Sequence, residues 1–306
     1  MERPGFSRLG LVLLALLALG WGFNWPIMKI VLRDVPPLTF RAVCLLLGGV
    51  GVLLIARVAG QSLTVPRSYW RHLMLLALCN TLGWNVFVVY GVALLPSGRA
   101  ALLGYTMPLW SVLLAVGLLH ERLTPPRAAA LLLGMGGVGV LISGEVTRLG
   151  GALTGVALML AAAFLWGLGV VLLKRFAVPI PTVTLTGWTM LLAGIPIAVA
   201  AVALEHGEWR ALGLAPALGV LYNIFVAFMF CYWAWNRIVL MVPVAVSSLS
   251  SLVTPVIGVL SGVWLLNERL TWREVVAAGL ILGAIALVLR TPAPGRAGER
   301  ADAPVV

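Results

Sequence analysis

The strongest constraint on this chain is a series of apolar segments, each about 18 residues or longer, that recurs from one end to the other. A segment of that length crosses a hydrocarbon layer of ~30 Å as a helix. In lipid every backbone N–H and C=O must find a partner within the protein, which leaves only helices and closed barrels. The segments here are continuously apolar rather than alternating, so the expectation is helices. Apolar length read against breaks gives ten: Leu9–Met28, Leu38–Ala56, Leu73–Leu95, Ala100–Leu119, Ala128–Gly144, Ala152–Leu173, Thr182–Leu204, Leu212–Trp235, Pro243–Leu266 and Trp272–Leu289. Composition agrees. Charged residues are 10% of the chain, against roughly 25% in a soluble domain. The fold class is therefore an all-α polytopic membrane protein with ten transmembrane helices. The stretch after Arg290, rich in Pro, Gly, Ala and Arg, is expected to be a disordered tail (291–306).

The net charge of +11 would suggest nucleic acid in a soluble protein. Here the basic residues sit mostly between apolar segments, where they orient helices and meet anionic headgroups. No basic stretch interleaved with aromatics is present, so no nucleic-acid partner is expected. Thirteen of the 21 Lys and Arg residues fall on the side of the termini, which places both termini in the cytoplasm of a bacterial inner membrane. Cys44, Cys79 and Cys231 lie inside apolar segments without CxxC spacing or a nearby His, and read as packing residues. No cofactor or metal is implied. The first segment carries Asn24, Trp25 and Pro26 and no small-residue cleavage site, unlike a signal peptide.

The chain repeats itself. HERLT at 120–124 is echoed by NERLT at 267–271, with Glu121 and Glu268 147 positions apart. Pro96 and Pro243, and Pro108 and Pro255, share that offset. Trp21-Gly22 and Trp166-Gly167, Lys29 and Lys174, and Pro36 and Pro181 share an offset of 145. Five helices thus echo five helices, dividing the chain into repeats 1–146 and 147–290. Because five is odd, the second repeat enters the membrane from the opposite side. Inverted repeats of this kind place a substrate near the midplane and expose it to each side in turn.

The segments that carry this echo are GWGFNWPIMK (20–29), LWGLGVVLLK (165–174), YTMPLWSVLLAVGLLHERLT (105–124) and LVTPVIGVLSGVWLLNERLT (252–271). They resemble the drug/metabolite transporter superfamily, in its ten-helix EamA-type exporter branch. The aromatic-rich GWGFNW start, with Trp84 and Tyr90, is similar to the YddG-like amino-acid exporters within it. The resemblance implies secondary export of amino acids or related small metabolites. The other functions weighed are a carrier of drugs, sugars or other metabolites on the same fold, and a passive channel. An enzyme is not expected: no HExxH, GxSxG or DxxD set lies inside the spans.

Polar groups inside a span are expensive unless they face a cavity or a partner. On that ground the candidate substrate-binding residues are Trp21, Asn24, Asn80, Trp84, Asn85, Tyr105, Trp166, Tyr222, Asn223 and Ser251. Their amides and hydroxyls suit a zwitterionic head, and their rings suit an ammonium or an apolar side chain. Backbone bonding and helix packing are the competing roles for each. All ten acidic residues and all three His lie at span ends or outside. A carboxylate proton relay is therefore not expected, and the carrier should run down its substrate gradient. Lys29 and Lys174 are expected to interact with helix C-termini, and Arg41 and Arg99 to anchor in the interface or line a vestibule. Thr271 and Glu274 form a T-x-x-E capping box, while Glu268 either ties its own turn or bonds donors across the seam between the repeats. The expected partners are a small-molecule substrate and the lipid bilayer, with a monomer favoured.

Overall fold

The computed structural model describes residues 8–119, 123–143, 152–176, 178–206, 212–234 and 244–290, with backbone alone at 8, 9, 11, 119, 174, 244–252 and 288–290. Ten helical segments run through these residues: α1 (Arg8–Val31), α2 (Pro37–Val58), α3 (Arg67–Leu94), α4 (Ser97–Gly104 and Met107–Leu119), α5 (Pro125–Ser143), α6 (Ala152–Phe176), α7 (Thr182–Leu204), α8 (Leu214–Ala234), α9 (Val244–Leu266) and α10 (Trp272–Arg290). Eight of them, α1 to α8, are long and apolar enough to cross a membrane, and α9 adds the shorter apolar stretch Val253–Leu266. The first ERLT phrase, the junction between the repeats and the tail fall largely outside the described residues.

Helix pairing reveals the two-fold relation. α2 packs on α7, and α5 on α10, each against its own counterpart. α4 also meets its counterpart α9, and most of the remaining contacts across the halves come in matched pairs. α1 packs on α9 as α6 packs on α4; α1 packs on α8 as α6 packs on α3; α2 packs on α8 as α7 packs on α3. Only two copies related by an axis between them give this pattern. With an odd helix count in each copy, that axis lies in the membrane plane.

Helix–helix association in lipid depends on close approach rather than on hydrophobic drive. The α2–α7 crossing illustrates this. A Cβ at Gly49 would sit 3.1 Å from the Gly187 carbonyl oxygen, and one at Gly187 would sit 3.3 Å from the Gly49 oxygen. Inside and outside are both apolar. The interior holds small and medium residues such as Ala100, Ala101, Leu102 and Leu103, all at 0% exposure. Large apolar side chains such as Leu132, Val202, Leu214 and Trp264 lie on the outside, where lipid would cover them.

Three local departures from regular helix were not expected from the sequence. α3 and α8 each contain a wide-turn segment of π-helix, Ala77–Gly83 and Asn223–Phe230, at corresponding places in the repeat. α4 breaks at Tyr105–Thr106, just before Pro108, whose ring disfavours helical geometry for the preceding residue and which offers no N–H to the Gly104 carbonyl. The turn is closed locally: the Thr106 hydroxyl donates to the Leu103 carbonyl at 2.6 Å. In α1, Pro26 likewise leaves the Gly22 carbonyl without its helical donor. The Ser261 hydroxyl of α9 supplies a long substitute at 3.4 Å.

Candidate functional site

The two wide turns face the two echoed tryptophans. On α6 the Trp166 carbonyl accepts a hydrogen bond from the Asn80 amide at 3.3 Å, inside the wide turn of α3. On α1 the Trp21 indole N–H donates to the Ala227 carbonyl at 3.1 Å, inside the wide turn of α8. Each repeat thus sets its tryptophan against the irregular segment of the other. Single π turns of this kind occur often at functional sites. Backbone of this sort at membrane depth is tolerated where protein or a cavity covers it.

Around each tryptophan lies an aromatic group. Trp84 meets Trp166 edge-to-face with ring centroids 5.0 Å apart. Asn80 reaches this group because Gly169 of α6 has no side chain: a Cβ there would lie 2.3 Å from the Asn80 Cβ. On the other side, Trp21 meets Tyr232 edge-on at 5.7 Å, and Tyr232 stacks on Phe228 at 5.9 Å. The Tyr222 hydroxyl donates to the Gly20 carbonyl at 2.8 Å, fixing α8 to α1 one turn below Asn24. Asn24 itself is half-buried, and its Oδ1 is buried with no partner.

The remaining sequence candidates are arranged less uniformly. Asn85 donates to the Thr81 carbonyl of its own helix at 2.8 Å, and Asn223 to the Gly219 carbonyl at 3.0 Å. These bonds within one helix match the competing role allowed for them. Asn223 nonetheless keeps a buried Oδ1 without a partner. Tyr105 is 6% exposed at the break in α4 and packs against Trp25 at 6.3 Å rather than against Trp84. Ser251 lies on α9, and its side chain is outside the described residues. Among the described residues no three His, Cys, Asp or Glu side chains gather as a metal site.

At the end of the bundle where α1, α3, α7 and α9 finish, charged groups bind helix termini of neighbouring helices. Glu205 accepts from the Leu38 and Thr39 amides at 2.7 Å each and from the Thr39 hydroxyl at 2.7 Å, capping α2. Glu268 caps α4 through the amides of Ser97 and Gly98. The Lys29 ammonium donates to the carbonyls of Val92, Ala93 and Leu95 at 2.8–2.9 Å, closing the C-terminus of α3. The side chain of its echo, Lys174, is outside the described residues. Arg99 pairs with Glu274, whose other oxygen accepts from the Thr271 amide in the expected capping box. Arg99 is thus held by a carboxylate of the other repeat instead of anchoring at the lipid surface.

Arg41 departs furthest from its expected place. It is 2% exposed and lies on α2 against α1 and α8, enclosed by protein. Position alone gave no sign of this, because an arginine in the first turns of a span usually snorkels outward.

Comparison with known proteins points one way. The profile of the EamA-like transporter family matches residues 8–143 and again 153–290. A protein of Bacillus subtilis (strain 168) described as the uncharacterized transporter YoaV is 25% identical over 265 residues, covering 85% of this chain and 90% of its own. A probable amino-acid metabolite efflux pump of Salmonella typhimurium is 28% identical, covering 93% and 94%. The aromatic amino acid exporter YddG of Ancylobacter novellus is 30% identical over 181 residues, covering 57% and 61%. One solved crystal structure superposes with a TM-score of 0.66 at 23% identity, over 92% of this chain and 96% of that one, a likeness of fold.

Proposed function

Because this chain belongs to the EamA-like transporter family, we propose that it exports amino acids, aromatic and other apolar ones included, or related small metabolites by alternating access. The observation that carries this reading is the two-fold placement of Trp21 and Trp166 against the wide turns of α8 and α3. Two equivalent gates around one midplane region are what a rocking carrier needs. The relatives described as an amino-acid metabolite efflux pump and an aromatic amino acid exporter support the substrate class.

In this reading Trp21, Asn24, Asn80, Trp84 and Trp166 form the substrate's surroundings, with Tyr222, Asn223, Asn85, Tyr105 and Ser251 behind or beside them. Ring faces cradle an ammonium or an apolar side chain, while amide oxygens accept from the ammonium. The repeats 1–146 and 147–290 are the moving halves, the termini face the cytoplasm of a bacterial inner membrane, and the chain works as a monomer. The acidic residues lie at span ends or outside rather than midway along a span, so no carboxylate relay carries a proton and flux follows the substrate gradient. The chemistry is transport and not catalysis.

Counterflow in proteoliposomes tests this directly. Vesicles loaded with labelled amino acids, sugars or cationic drugs should exchange amino acids saturably. Exchange of another class alone refutes the substrate assignment. Flux without saturation or counterflow indicates a channel. An imposed proton gradient at zero membrane potential should leave efflux rates unchanged.

A further inference from the structure

One cation of α2 has no task in the reading above. Arg41 is 2% exposed, and its guanidinium carbon lies 4.9 Å from the Phe40 ring centroid and 5.7 Å from that of Phe228 on α8. A guanidinium carries five N–H donors and no acceptor. The hydrogen bond it makes goes to the thioether sulfur of Met28 on α1, a weak acceptor. Among the described residues its buried Nε has no partner, and no carboxylate pairs with the guanidinium. Glu205, at the end of α7, is engaged in capping α2 through the Leu38 and Thr39 amides and the Thr39 hydroxyl.

An arginine held inside a span without a counter-ion is expensive, and such residues face a substrate or ion pathway by default. The flanking rings offset part of that penalty through cation–π contact, but they cannot fill a planar fork of donors. A carboxylate can, through two parallel hydrogen bonds. The neighbouring groups fit the rest of such a solute. From Arg41 a row of rings runs through Phe228 and Tyr232 to Trp21. Asn24, with its unpartnered Oδ1, lies one turn before Met28 on α1.

We infer that Arg41 binds the carboxylate of the transported solute. The carboxylate takes the place of the Met28 sulfur when α1, α2 and α8 part, and the solute's apolar portion lies along Phe228, Tyr232 and Trp21. This rests on the reading of the chain as an exporter of amino acids or related metabolites, and narrows it to solutes with a free carboxylate. A lone inorganic anion would match the charge but leave the row of rings unused.

The test uses the full-length protein in lipid nanodiscs and pairs each amino acid with its decarboxylated amine, for example L-tryptophan with tryptamine. Indole-3-propionate, which keeps the carboxylate and lacks the amine, completes the set, with chloride and phosphate as inorganic controls. Tryptophan and indole-3-propionate should bind, and tryptamine should bind about tenfold more weakly or worse, the loss expected for a missing charge-assisted hydrogen bond. Arg41→Met removes an unneutralised buried charge, so its ligand-free melting temperature should rise while the discrimination between tryptophan and tryptamine disappears. Equal binding of acid and amine by the unmodified protein overturns the inference without needing a variant. So does discrimination that survives in Arg41→Met, or saturation by chloride or phosphate that carboxylates do not compete. The two readings fail separately. Amino-acid exchange that ignores Arg41 leaves the exporter standing and removes the carboxylate seat. Arg41-dependent binding of indole-3-propionate, with no amino acid bound, does the reverse.

Discussion

Glu268, just past the end of α9, holds the beginning of α4: its Oε1 accepts the Ser97 amide at 2.6 Å and its Oε2 the Gly98 amide at 3.1 Å. The first N–H groups of any helix lack partners within it, and a carboxylate there meets both their hydrogens and the positive end of the helix dipole. Because α4 and α9 belong to different repeats, the cap is also a latch between the halves. Glu268→Gln keeps the size and loses the charge. It should loosen this end by about 1–2 kcal/mol. Hydrogen exchange at Ser97 and Gly98 should accelerate by roughly an order of magnitude; unchanged protection would mean that the latch is ornamental.

Arg99 and Glu274 bridge the same two repeats with side chains 10% and 8% exposed. Breaking a shielded pair from one side leaves the other charge buried and uncompensated. Arg99→Ala and Glu274→Ala should each lower thermal stability in detergent. The double variant should lose less than the sum, with a coupling of about 1–2 kcal/mol. Strict additivity in that cycle would assign the stability of this end to the helix caps alone.

Trp84 and Trp166 meet edge-to-face at 5.0 Å, and Asn80 ties to the Trp166 carbonyl. If solute passes here, Trp84→Ala and Trp166→Ala should each slow counterflow about tenfold or more while insertion stays normal. Phe at either position should restore most of the rate. Together the two Ala changes should do little more harm than one, since the rings act as a pair. Full activity in both single variants would move the pathway elsewhere.

Gly187 meets Gly49 where α2 crosses α7. Gly187→Leu must push the helices apart and should lower the melting temperature by an amount equivalent to about 2 kcal/mol or more. Gly136 on α5 offers a control, because a Cβ there meets nothing within 4 Å. Gly136→Ala should be neutral, or stabilising by up to about 1 kcal/mol. Equal effects of the two would mean that the crossing does not depend on close approach.

The helices and the inverted repeat were legible because length, hydropathy and the offsets of Trp21, Pro96 and Glu268 carry them directly. What lay beneath was not. The wide turns of α3 and α8 lie against the other repeat, and neither Ala77–Gly83 nor Asn223–Phe230 contains a residue that demands one. The NERLT phrase yielded its Thr271–Glu274 capping box in advance. It left open whether Glu268 ties its own turn or reaches across the seam, as it does to α4, and did not show that Asn267 turns the chain with a positive φ of 53°. Arg41 was misplaced for the same reason: a side chain's neighbours on other helices are invisible to its own span.

The charged latch has a kinetic corollary. Under the repeat's offset of 147, the positions matching Glu274 and Arg99 carry Arg127 and Val246, and under its offset of 145 the position matching Glu205 carries Gly60. The opposite end of the bundle cannot repeat the Arg99–Glu274 pair or the Glu205 cap, so under the proposed alternating access the two conformations would be unequal in free energy. In a transporter with no coupled ion, such a bias cannot drive accumulation. Detailed balance requires the ratio of maximal rate to half-saturation concentration to be the same in both directions. The bias instead divides the two numbers unevenly. A bias of the empty carrier returns its sites fastest to the face exposed in the latched conformation, so that face has the higher ceiling and a proportionately higher half-saturation concentration. One protein would then present a sensitive entrance and a permissive exit, with the direction of traffic left to the concentrations on either side.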